Sequence, residues 1–200
     1  MEKLIKLIFL FFLHPFFVIK QLKFCIIPNL APIINRKIEF EGNYPKCDQL
    51  VRISGTGIVK IGNNCSLGYK PGGFHRGGLI EFQARYEDAR IVIGNKVATN
   101  NNVFMCAANH IEIGDETLIG QYVTIMDFEA HGVDPMKRGQ LGEIGKVIIG
   151  KNVWIGNNVT ILKNVEIGNN SIIAAGAVVT GKFPSNVIIG GVPAKIIRNL

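Results

Sequence analysis

Four histidines supply the side chain best suited to moving a proton near neutral pH: His14, His75, His110 and His131. His14 lies in an apolar run and His75 in a Gly-rich loop, while His110 stands just before a strand-like segment. His131 differs from them. It sits in DFEAHGVD, with Asp127, Glu129 and Asp134 nearby, any of which could orient the imidazole for general-base work. Alone, a loop histidine among carboxylates is more often a solvent-facing residue. Cys25, Cys47, Cys65 and Cys106 show neither CxxC pairing nor metal-ligand spacing, so they read as buried or half-buried thiols in a reducing compartment.

The elements that must hold these side chains announce themselves by a period of six. Aliphatic residues recur at Ile149, Ile155, Ile161, Ile167, Ile173 and Val179. A small or compact residue follows at Gly150, Gly156, Gly168, Ala174 and Thr180, with Leu162 as the exception. Val153, Val159, Val165, Ser171, Ala177 and Phe183 stand four places after each aliphatic. This period suits neither an α-helix nor an alternating strand. It marks a parallel β-helix, one short strand and one corner per hexad, with three hexads to a turn. Each Ile then stacks on the residue eighteen later, and the residue after it is small because a bulky one would crowd the corner.

Earlier in the chain the repeat is weaker. Val51, Ile53 and Ile58 alternate with polar residues, Ile61-Gly62 and Leu67-Gly68 start two hexads, and Tyr69 to Gly78 is a loop by composition. Ile93, Thr99 and Met105 keep one phase, whereas Ile113, Ile119 and Ile125 lie two residues out of it, so the register slips between Cys106 and Ile111. Residues 127–146 carry no hexads and read as a long loop leaving the prism, the kind of excursion that is usually functional.

A chain of 200 residues with 48% hydrophobic residues suits one domain with appendages. Its net charge of +7 points to an anionic partner. The cations are dispersed and no recognition helix or aromatic platform accompanies them, so no nucleic-acid partner is expected. Leu4 to Ile19 is almost wholly apolar, broken by Lys6 and His14-Pro15. No small-residue cleavage site follows it, and Pro15 interrupts a run short of the ~20 residues a span needs. Two readings stand: a kinked helix in a membrane interface flanked by Lys3, Lys6, Lys20 and Lys23, or an apolar arm packed on the domain or between subunits. The organisation is an apolar helical arm (1–27), a connector with first strands (28–60), the hexapeptide prism (61–184) with its loop 127–146, and a C-terminal tail (185–200). The fold class is all-β.

Four local patterns then carry a resemblance: Asn100 in ATNNNV, His131 in the loop, VWIG at Val153 to Gly156, and the ending AGAVVTGKFPSNVIIGGVPAKIIR. From about Ile61 to Leu200 the chain resembles the hexapeptide-repeat acyltransferases of the left-handed β-helix class, near the maltose and galactoside O-acetyltransferases. The resemblance implies a homotrimer that binds acetyl-CoA between neighbouring prisms and passes the acetyl group to a sugar hydroxyl, without a metal. The possible membrane arm points to surface-polysaccharide or glycan modification, and the expected location is the cytoplasm, peripheral at the inner membrane face if the arm binds lipid. His131 matches the family's catalytic base. Asn100, with Asp127 and Asp134, would lie at the acceptor, and Trp154 beside the coenzyme. Gly156, Asn157, Ala175 and Gly176 would line the pantetheine groove, continued by Thr180, Gly181 and Lys182, with Lys195 and Arg198 meeting the nucleotide phosphates. Two departures stand out. Gly181 replaces a frequent Lys, displaced here to Lys182, and an acidic acceptor residue expected eight places after Asn100 is Ala108, beside Asn109. An N-acetyltransferase of an amino sugar or antibiotic, or a non-catalytic trimeric scaffold, are the competing readings. A β-helix carbonic anhydrase is not, because His75, His110 and His131 lack that family's spacing.

Overall fold

The computed structural model describes residues 15–200. Leu4 to His14, most of the apolar arm, therefore lie outside the described residues. The rest is a triangular prism of three parallel sheets, with 7, 8 and 6 strands, in which every third strand in the chain stacks on the last. We call them the first, second and third sheets in the order the chain visits them. The stacking register is the one the hexads require: Ile149 lies over Ile167, Ile155 over Ile173 and Ile161 over Val179. These side chains and Val153, Val159 and Val165 are buried in a single core. Burial of each is worth ~1.5–3 kcal/mol, which is why so regular a column can carry the fold.

The corners bear out the crowding read from the sequence and add a feature that it did not show. The left-handed backbone conformation falls three residues after each inward aliphatic, on Asn152, Asn158, Asn164 and Asn170, not on the small residue that follows it directly. Asparagine tolerates this conformation better than most side chains. The glycines serve space, as the sequence reading has it. A Cβ on Gly62 would stand 2.5 Å from Gly94, one on Gly114 2.5 Å from Gly150, and one on Gly150 2.5 Å from Asn169. Successive coils touch backbone to backbone there.

Phe183 corrects the sequence reading. It stacks on Ile167, and Lys182 on Glu166, so Phe183 takes the position of an Ile rather than of a Val. The coil closes in two fewer residues because Gly181, at φ +90°, turns the chain early.

These facts sort the three edges of the prism. At the edge from first to second sheet every step from Ile61 onward takes six residues: Ile61 to Leu67, Ile93 to Thr99, Ile113 to Ile119 and so on. At the edge from third to first sheet the same step takes 8, 11, 8, 24, 6 and 4 residues in successive coils. The slip at Cys106–Ile111 and the excursion 127–146 both fall there. So does Leu162, whose counterparts in other coils are Gln83, Cys106, Met126 and Thr180. The exception in the repeat is thus a rule of that edge.

The prism begins earlier than its hexads. Strands Ile38–Phe40, Lys46–Cys47 and Val51–Gly55 form the first coil. A near-continuous helix, α1 (Pro15–Ile34), closes its end and touches the first strand of all three sheets. The helix runs through the arm boundary expected at residue 27 and through Pro28 and Pro32. A π-turn at Leu22–Ile26 and a 3-10 turn at Ile27–Asn29 accommodate Pro28, whose ring and missing N–H would disrupt a regular helix. Val18, Gln21, Cys25 and Asn29 make the buried stripe. Asn29 Nδ2 donates to the Val51 carbonyl at 2.7 Å and its Oδ1 accepts from Ile53 N at 2.6 Å, while Gln21 Oε1 accepts from Cys47 N at 2.9 Å. The helix thereby pairs backbone groups that the end of a β-helix would leave bare. All four thiols are buried and free. Contact with Cys25 and then burial push the Cys47 thiol well above its usual range.

Candidate functional site

The excursion 127–146 is an ordered ladder. Glu129 N donates to the Glu143 carbonyl at 2.9 Å, Gly132 N to Gln140 O at 2.9 Å and Gly145 N to Asp127 O at 2.7 Å. Asp127 anchors its base and is fully buried. Its carboxylate accepts from the amides of Ala108 at 2.7 Å, Asn109 at 2.9 Å and His110 at 2.6 Å, the corner that carries the two-residue slip. Phe128 packs with Cys106 and Ala108 outside the third sheet, under the Arg85 guanidinium at 5.0 Å. On the far side Lys163 Nζ meets Glu143 at 2.7 Å and Glu129 at 3.3 Å, and Asn164 Nδ2 donates to Glu143 at 2.9 Å. Lys163 and then Asn164 hold the Glu143 carboxyl below its ordinary range.

His131 projects from this ladder into solvent. Its Nδ1 lies 2.9 Å from the carbonyl oxygen of Arg138. A carbonyl only accepts, so the proton sits on Nδ1 and Nε2 is left as a bare base. The orienting group is therefore a backbone carbonyl and none of the three carboxylates. Asp127 is spent on amides, Glu129 on Lys163, and Asp134 Oδ1 caps the turn Pro135–Lys137 by accepting from Met136 N at 3.0 Å. The acceptor-binding role read for Asp127 does not suit a fully buried carboxylate, whereas Asp134 stays exposed on the loop. The anchors Lys163 and Glu143 were missed, since a pair 20 residues apart leaves no local pattern, and so was the Arg138 carbonyl, a backbone group that no side-chain pattern marks.

Asn100 belongs to the other working edge, from second to third sheet. Its Oδ1 accepts from Asn101 N at 2.8 Å, which leaves its amide NH2 without a partner among the described residues. The next two residues are structural. Asn101 is fully buried and ties down the loop 69–78 through Tyr69 N and O, both at 3.0 Å, and Gly73 O at 2.9 Å; Asn102 takes the left-handed corner and pairs with Gln49. Gly156 and Asn157 stack on the same edge. A Cβ on Gly156 would stand 2.6 Å from Ala175 N, and Asn157 Oδ1 accepts from Gln121 N at 3.0 Å, so both have coil-stacking duties.

Ala175 and Gly176 are exposed, and Gly176 is the single glycine at a corner position otherwise held by Asn, Lys, Glu or Tyr among the described residues. Nothing lies within 4 Å of where its Cβ would be, so the backbone is bare there. Thr180 and Gly181 are likewise exposed. Lys182 Nζ pairs with Glu166 at 2.9 Å, which neutralises it. Trp154 is 57% exposed on the second sheet, between Leu118 and Ile172. Lys195 and Arg198 lie on the antiparallel strand Ala194–Asn199 that closes that sheet, exposed and without a carboxylate partner among the described residues. Among the described residues no three His, Cys, Asp or Glu side chains gather as metal ligands. His110 faces Glu112 at 3.2 Å and His75 lies near α1.

The single chain thus divides the candidate residues. His131 and the Thr180–Lys182 turn lie on the third-to-first edge, and Asn100, Gly156, Asn157, Ala175 and Gly176 on the second-to-third edge, with the third sheet between them.

Residues 146–181 match the family model of the bacterial transferase hexapeptide, six repeats. Residues 146–181 thus carry the hexapeptide repeat, and the resemblance read in the sequence is borne out, together with the left-handed β-helix fold that it implied. It is 38% identical over 118 residues to Escherichia coli (strain K12) WbbJ, whose name assigns it provisionally to O-acetyl transfer in lipopolysaccharide biosynthesis; the match covers 54% of this chain and 60% of WbbJ. It is 38% identical over 114 residues to the galactoside O-acetyltransferase of the same organism, covering 56% of this chain and 55% of that enzyme. The matched region thus spans little more than half the length of these curated relatives. A solved galactoside acetyltransferase in complex with coenzyme A superposes with a TM-score of 0.53 at 25% identity, covering 88% of this chain and 72% of that one.

Proposed function

We propose that the chain is an acetyl-CoA-dependent O-acetyltransferase acting on a sugar hydroxyl, with His131 as general base and its site assembled between protomers of a trimer. The observation that carries this reading is the His131 imidazole, fixed by the Arg138 carbonyl as the Nδ1–H tautomer on a pinned, exposed loop. Nε2 takes the acceptor hydroxyl's proton as that oxygen attacks the thioester carbonyl. The tetrahedral species collapses with loss of the coenzyme A thiolate, and the imidazolium returns the proton to sulfur. The free amide NH2 of Asn100 is a donor for the acceptor or the developing oxyanion.

The split between two edges supports the assembly. A single prism keeps His131 and Asn100 a sheet apart, whereas neighbours packed edge to edge set one protomer's loop against the other's second-to-third edge. The bare corner at Ala175-Gly176 suits a thin pantetheine arm, Trp154 offers an apolar flank, and Lys195 and Arg198 offer cations for phosphates. Names of the relatives favour a carbohydrate acceptor in surface-glycan assembly. The test is an acceptor screen of sugars and amino sugars that follows thiol release from acetyl-CoA. Release with neutral sugars supports the reading. Release only with amino sugars moves it to N-acetyl transfer, and coenzyme A binding with no release for any acceptor sinks it.

A further inference from the structure

Two features outside the acetyl-transfer machinery meet at the capped end of the prism. The first is the outer face of α1. Phe16, Ile19, Ile27, Leu30 and Ile34 follow helical spacing opposite the buried stripe and are all exposed, Phe16 at 88% and Ile34 at 69%. A helix that only closed the prism would carry polar residues there. A contiguous apolar stripe in water marks a contact surface.

The second feature is a cavity of about 600 Å³ between α1 and the loop 69–78, lined by Lys20, Lys23, Lys70, His75 and Arg76 with Asp48, Leu50 and Phe24. Its single carboxylate is already taken: Asp48 pairs with Lys20 and lies 3.9 Å from Lys46. Lys23, Lys70 and Arg76 meet no carboxylate among the described residues. Lys20 and Lys23 come from α1 itself, so the apolar stripe and the cationic cavity form one surface.

We propose that this surface docks on an anionic lipid bilayer, the stripe of α1 entering the boundary between headgroups and acyl chains and the cavity receiving a lipid phosphate. Arg and Lys donors around a 600 Å³ opening suit a phosphate oxygen set. Lys23, inside the stripe, can lay its stem along the apolar face and keep its ammonium at the headgroups. Residues 4–13, LIKLIFLFFL, extend the same apolar character in sequence. A second copy of this chain is the poorer occupant. It also carries +7, and a two-fold contact would bring the cationic rim against itself.

Co-sedimentation of the full chain with phosphatidylcholine vesicles, with and without phosphatidylglycerol, tests this. The protein should pellet with the anionic vesicles at low salt and less with the neutral ones, and salt should release it only in part, since burial is not screened. Lys70→Ala with Arg76→Ala should weaken anionic-vesicle binding about fivefold per cation removed. Ile27→Asp with Leu30→Asp should abolish pelleting on both, with melting and thiol release in solution unchanged. Full-length protein left in the supernatant at low salt overturns the proposal. Dissociation of the oligomer by Ile27→Asp with Leu30→Asp also overturns it and reassigns the stripe to a subunit contact. So does glycerol phosphate binding in calorimetry while vesicles are ignored, which would assign the cavity to a soluble phosphate. Unchanged binding of the cation variant removes the cavity from the surface.

Discussion

The first-to-second edge and the third-to-first edge of the prism turn the same angle with the same chain, yet they tolerate change very differently. At the former, Gly62, Gly94, Gly114, Gly150 and Gly168 stack backbone on backbone, and from Ile61 on every step takes six residues. One inserted residue there would break contacts with the coil above and the coil below. At the latter the glycine stack is missing, and steps from 4 to 24 residues are accommodated. Support comes instead from partners specific to each excursion: Asp127 for the base of the loop, Lys163 and Asn164 for its flank, Arg138 for the histidine. A β-helix thus separates duties by edge, one rigid and repetitive, one free to acquire chemistry.

The largest disturbance should come from inside, where the edges share a core. Ile155→Asp or Ile167→Asp places an unpaired carboxylate among stacked aliphatics and should prevent folding; a soluble, cooperatively melting product would contradict the stacking. Asp127→Ala attacks the variable edge at its anchor. It strands three amides of the 108–110 corner at about 1–3 kcal/mol each, so melting temperature and turnover should fall together. His131→Ala should separate those two readouts, lowering turnover about 10²–10⁴-fold with the melting curve unchanged, because an exposed loop side chain adds nothing to the core.

Glycine replacements sharpen the comparison further. Gly114→Ala, with its Cβ 2.5 Å from Gly150, should destabilise by several-fold more than Gly181→Ala, which meets open space and costs only the ~1–2 kcal/mol of a positive φ. Equal melting temperatures would erase the distinction between the edges. The smallest effect concerns acid. The lowered Glu143 carboxyl contributes to the loop anchor above its ordinary pKa of 4.5 and loses that contribution as pH falls through the lowered value. The protection of the Glu129 and Gly132 amides against hydrogen exchange, relative to their intrinsic rates, should therefore fall selectively at acid pH, and Lys163→Met should show the reduced protection already at neutral pH.

Much of this was legible in the chain itself. The six-residue period of Ile149 to Val179 implies a column of aliphatics, and a column of identical side chains at one strand spacing can pack only as stacked coils. His131 stood out because a polar 20-residue interruption in a regular array has no other place to go than outward. Local periodicity determines such features because each residue's environment repeats its neighbour's.

What the tertiary structure alone decided are pairings between residues far apart in sequence. Asp127 looked like a partner for His131 because it is four residues away; the fold instead sends it inward to the corner at 108–110, where three backbone amides outcompete one exposed imidazole. Phe183 kept its place in the written hexad but not in space, since a glycine at φ +90° removed two residues from the turn. The helix at the N-terminal end shows the same division. Its apolar composition is plain from sequence, but only the prism end beneath it, with open backbone groups for Gln21 and Asn29, decides which face is buried and which is left exposed.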